Sequence, residues 1–87
     1  MEELKIPDIS IVFGKLHVEG AGYFEPEGIR NIRTADGQEK KEYQGFLYPR
    51  VIVDLKPSNC FVIDCNTDKE RDNIAQLIAL LIHNEES

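Results

Sequence analysis

Few side chains in this sequence are equipped for chemistry. The soft metal ligands and thiol nucleophiles are His17, Cys60, Cys65 and His83. Zinc sites gather cysteines in close pairs within turns. Here the two cysteines lie five positions apart in Cys60-Phe61-Val62-Ile63-Asp64-Cys65, a run that alternates like a strand. An odd spacing on a strand turns the two to opposite faces, so they do not share an ion. Their α-carbons would stand roughly 16 Å apart, against a disulfide limit near 7 Å. An apolar strand also raises a thiol pKa, which leaves neither cysteine activated for a base such as His17. Ser10, Ser58 and Ser87 lack the flanking glycines of a nucleophile elbow. Gly20-Ala21-Gly22 has neither the lysine nor the following helix of a phosphate loop. Asp54 and Asp64 stand on the two arms of one hairpin. Counting outward from a turn between Pro57 and Ser58 pairs 54 with 61 and 51 with 64, so the carboxylates are not opposite and read as polar positions of a half-exposed sheet. No catalytic residue, metal ligand or cofactor is expected.

What remains is surface. The net charge is −6, which opposes direct nucleic-acid binding and docking on anionic membranes. The charge is unevenly spread. Residues 1–28 and 59–87 each carry six acids and two bases, while residues 29–58 carry four acids and six bases. Arg30, Arg33, Lys40, Lys41 and Arg50 form this basic island, a candidate site for an anion or an acidic partner. Glu25, Glu27, Asp68 and Asp72 are the candidate acidic surface of a small inhibitor that occupies a basic cleft on a nucleic-acid-processing protein.

These residues need elements to position them. The chain has 87 residues, 41% apolar and 30% charged, which suits one globular domain over residues 1–87 with frayed ends at 1–8 and 84–87. The longest apolar run, Ile78-Ala79-Leu80-Leu81-Ile82, is far short of the roughly 20 residues that span a bilayer. No signal peptide is visible at the start, and the expected location is the cytoplasm. Ile9-Ser10-Ile11-Val12-Phe13 alternates, and Leu16 and Val18 continue with switched parity, so Gly14 marks a bulge or sharp bend. Glu25-Pro26-Glu27-Gly28 is a turn. Ile29-Arg30-Asn31-Ile32-Arg33-Thr34 suits a helical turn or an irregular strand equally. Residues 38–42 read as a solvated loop, and a β-rich section starts at Tyr43. Arg50-Val51-Ile52-Val53-Asp54-Leu55 and the cysteine-bearing run form an antiparallel hairpin, with Val51, Val53, Leu55, Phe61, Ile63 and Cys65 facing inward.

The end is an amphipathic helix. Thr67-Asp68-Lys69-Glu70 fits a capping box. Leu77, Leu81, Ile74, Ile78, Ile82, Ala75 and Ala79 fall within about 200° of arc. The inward sheet face can bury Ile74, Leu77, Ile78 and Leu81. Leu80 lies beyond them, among Asn73 and Gln76, and with Leu77 and His83 it outlines a candidate protein interface suited to a homodimer.

The expected fold is therefore α+β: a small, curled antiparallel sheet of about four to six strands capped by one C-terminal amphipathic helix. The stretch Phe61-Val62-Ile63-Asp64-Cys65-Asn66-Thr67-Asp68-Lys69-Glu70-Arg71-Asp72-Asn73-Ile74-Ala75-Gln76-Leu77-Ile78 resembles the last strand, polar turn and capping helix of the pleckstrin-homology-like superfold. The resemblance covers the final third of the chain. It lacks a tryptophan in the helix, and Gly20-Ala21-Gly22 stands where phosphoinositide binders carry lysine and arginine. It implies a binding module. The leading expectation is a non-enzymatic protein-interaction module that self-associates. The alternatives are the acidic inhibitor and the anion-binding module.

Overall fold

A computed structural model describes residues 4–35 and 48–86 of the chain. Strands β1 (Ile9–Val12), β2 (Lys15–Val18) and β3 (Gly22–Phe24) form one antiparallel sheet in that order. Its inward side chains include Leu16 and Val18, which are fully buried. In place of a bulge within one strand, Phe13 and Gly14 are the two turn residues of a hairpin closed by the Val12–Lys15 pair. Their φ angles are 52° and 76°. Two positive φ values give a hairpin turn whose twist matches the flanking strands. Glycine supplies this without cost, and phenylalanine does not.

Pro26–Gly28 forms a short 3-10 turn with the Gly28 N–H donating to the Glu25 carbonyl at 2.9 Å. Pro26 is buried and has no N–H to continue a ladder. The chain therefore leaves the first sheet and starts a second, formed by β4 (Ile29–Ala35), β5 (Arg50–Leu55) and β6 (Asn59–Asp64) in that order. Two three-stranded antiparallel sheets replace the single curled sheet expected from the sequence. The stretch left open between helix and strand is β4, with a register shift between Ile29 and Asn31. The β5–β6 hairpin pairs Leu55 with Asn59, Asp54 with Cys60 and Arg50 with Asp64. Its loop has three residues, 56–58, with a cis Lys56–Pro57 peptide, so its axis falls on Pro57 rather than between Pro57 and Ser58. This register keeps Val51 and Val53 on the same face as Ile63 and Phe61.

Helix α1 (Asp68–Glu86) closes the core and extends past Asn84, where the polar tail was expected to end it. Thr67 Oγ1 accepts from the Glu70 N–H at 3.1 Å. Glu70 Oε1 in turn accepts from the Asn66 N–H at 2.8 Å, one residue before the cap position of a standard box. Asn66 also ties down the head of the chain: its Oδ1 accepts from the Leu4 N–H at 2.7 Å and its Nδ2 donates to the Leu4 carbonyl at 3.0 Å. Ile74, Ile78 and Ile82 pack with Val51, Val53 and Ile63 of the second sheet, Cys65 just beyond it, and Leu16 and Val18 of the first. The Phe24 and Phe61 rings stack at 4.5 Å between the two sheets.

Candidate interaction surface

Helix α1 buries a narrower stripe than its apolar arc suggests. The buried positions recur at Ile74, Ile78 and Ile82, with Arg71 one turn earlier. Leu77, expected in the core, is 40% exposed, and Leu80 is 53% exposed. Asn73, Gln76 and His83 are exposed beside them. Positions 73, 76, 77, 80 and 83 lie three and four apart, so they share one side of the helix. Two leucines with neutral amides thus make an uncharged apolar stripe on the outer side of α1.

Two arginines of the basic island are ion-paired. Arg33 and Arg50 share the outer face of the second sheet, and each is held by a carboxylate. Arg33 grips Asp54 with two bonds, Nε to Oδ2 at 2.7 Å and Nη2 to Oδ1 at 2.9 Å. This bidentate bond holds the Asp54 carboxyl below its ordinary pKa and raises that of Arg33. Arg50 Nε donates to Asp64 Oδ1 at 2.8 Å. The two aspartates the sequence placed on one hairpin thus each take an arginine. Arg30 is exposed at the β4 irregularity, and Lys40 and Lys41 lie outside the described residues.

The acidic surface is partly compensated too. Glu25 pairs with Lys15 at 3.3 Å. Asp68 and Asp72 flank the buried Arg71, at 3.3 Å from Nη1 and 3.0 Å from Nε. Glu27 is exposed in the 3-10 turn.

The cysteines sit on opposite sides of the second sheet's layer, both as free thiols: Cys60 is exposed and Cys65 is buried. Burial pushes the Cys65 thiol up to about 11, so it is protonated at neutral pH. His17 lies on the outer face of the first sheet against Tyr23, ring centroids 4.5 Å apart, and His83 is near the end of α1. Among the described residues, no three His, Cys, Asp or Glu side chains gather as a metal site would require, and no helix is long and apolar enough to cross a membrane.

Phe13, which alternation places on the inward face with Ile9 and Ile11, is instead 98% exposed at the hairpin tip, and Tyr23 at 59% and Val62 at 44% are exposed apolar side chains that the sequence did not single out. Phe13-Gly14 carries a usable signal, since a glycine between two strands of opposite parity marks a hairpin tip as readily as a bulge. Val62 needs the strand order, because only an edge position leaves it uncovered. Compared with known proteins, the chain matches no family model, no curated sequence and no solved structure.

Proposed function

We propose that this chain is a non-enzymatic protein-interaction module that self-associates through the outer stripe of α1. One observation carries the reading: Leu77 and Leu80 are left uncovered on a stripe with no charged residue between Asn73 and Leu80. Copies that each carry −6 repel one another over most of their surface. An uncharged apolar stripe is where that repulsion is least and apolar burial is gained. Laid antiparallel about the midpoint of the stripe, Leu77 of one copy meets Leu80 of the other, and each contact is made twice. Two small sheets closed by a C-terminal helix also suit the binding role that the pleckstrin-homology-like resemblance implies. Arg33 and Arg50 are already engaged by aspartates, which weakens the anion-site alternative. Lys15 and Arg71 offset three of the four acids of the inhibitor alternative.

Sedimentation of the wild type and of Leu80→Glu over a concentration series tests the reading. The wild type is expected to pass from 9.9 kDa to twice that mass. The variant is expected to stay monomeric with an unchanged circular dichroism spectrum, because the new carboxylate replaces an exposed side chain. A wild type that stays at 9.9 kDa throughout overturns the dimer.

A further inference from the structure

We propose that the open edge of β6 binds an extended peptide by strand addition, at a site separate from the α1 stripe. The phase of the ladder fixes which backbone groups face outward. The Cys65 N–H donates to the Pro49 carbonyl at 2.7 Å, and the Lys56 N–H donates to the Gly28 carbonyl at 2.8 Å. In an antiparallel ladder the bonded pairs alternate. The odd-numbered residues of β6 therefore turn their backbone groups toward β5, and Cys60, Val62 and Asp64 turn theirs to the edge. Among the described residues nothing takes a hydrogen bond from or to these outward groups.

The two edges of the second sheet differ. β4 is blunted by its register shift and by the exposed Arg30 and Arg33. Folded proteins use such bulges and charges to prevent edge pairing. The β6 edge, Asn59-Cys60-Phe61-Val62-Ile63-Asp64, has no proline, no cation and one acid, and Val62 is 44% exposed. Among the described residues nothing pairs with this edge, and its second half opens on a groove of about 320 Å³. Val62, Ile63 and Asp64 form one side of it; Leu4, Lys5 and Pro7, with Val18 to Ala21, form the others.

The groove selects its occupant. Unpaired donors and acceptors at alternate positions match the backbone of one extended chain. Of the charged groups around the groove, Asp64 is held by Arg50, and Glu19 accepts from the Asp8 N–H at 3.3 Å. Lys5 has no ion-pair partner among the described residues. The peptide that fits is extended, apolar at alternate positions and acidic at the end beside Lys5.

A phage-displayed library of random heptapeptides, selected on the folded protein, supplies the probe. The expected winners alternate apolar residues and carry an acid. Binding of a synthetic winner slows amide exchange at Cys60, Val62 and Asp64. Lys5→Glu weakens it several-fold. Val62→Pro removes one outward N–H while leaving the β5 ladder intact, and costs about tenfold or more. Should that variant fail to fold, N-methylation of alternate peptide residues on the wild type is expected to cost as much. No enrichment, or protection confined to other amides, overturns the proposal. So does a dimer that survives Leu80→Glu and is lost in Val62→Pro, since the edge would then be taken by a second copy. Loss of the dimer in Leu80→Glu with peptide binding intact keeps the two sites apart.

Discussion

The two sides of α1 carry the same kind of residue and meet opposite fates. On one side Ile74, Ile78 and Ile82 are at most 8% exposed. On the other, Leu77 and Leu80 keep about half their surface in water. What divides them is the width of the surface beneath. The helix lies against both sheets and the 3-10 turn, and three-stranded sheets cover less of a helix than an apolar arc of about 200° presents. Under the proposed self-association, the inward side answers for folding and the outward side for association, and substitutions on the two should separate cleanly.

Ile78→Ala sets the upper end of that separation. It empties a fully buried site at the centre of the core, and is expected to destabilise by about 2–5 kcal/mol in urea unfolding. Leu80→Ala should change monomer stability by well under that, and an equal loss would erase the distinction between the two sides.

The helix start comes next. Thr67→Ala removes the Oγ1 acceptor of the Glu70 N–H, and a loss of about 1 kcal/mol is expected. An unchanged urea midpoint would mean that Glu70 and Asn66 fix the helix start without the hydroxyl.

Phe13→Asn should act in the opposite direction. It replaces a β-hairpin residue at φ 52°, almost wholly in water, with one that tolerates that conformation. A gain of up to about 1 kcal/mol is expected from the urea midpoint, and a loss would show that Phe13 packs on something in the folded state.

The smallest effect is confined to acid. The bond to Arg33 holds the Asp54 carboxyl below its ordinary value of 3.8 in the folded state. Its contribution is full above that value and fades as pH falls through the lower folded one. Stability measured from pH 6 to pH 2 should drop less steeply in Asp54→Asn than in the wild type. Parallel curves would mean that the Arg33 bond does not hold the carboxylate.

Much of the fold was legible because short-range rules decide it. Alternation identified β5 and β6 and their inward faces, Glu25-Pro26-Glu27-Gly28 marked a turn, and Thr67 with Glu70 located the helix start. The division into two sheets was not legible, because a turn at Pro26 does not declare whether the segments on its two sides share a ladder. The hairpin register turned on whether the loop held an even or odd number of residues, which Lys56-Pro57-Ser58-Asn59 does not declare. Leu80 was found because amides surround it, whereas Leu77 was assigned to the core because periodicity gives direction but not the width of the covering sheets. The partners of Arg33 and Arg50 lie across strands, at separations no local pattern reports.

The proposed dimer sets Leu77 of one copy against Leu80 of another. An isotope-filtered NOE experiment on a mixture of labelled and unlabelled chains tests it directly. The account predicts intermolecular contacts between the Leu77 and Leu80 methyl groups that disappear on dilution and in Leu80→Glu. Methyl spectra that do not change with concentration, with no intermolecular contact at either leucine, would contradict it.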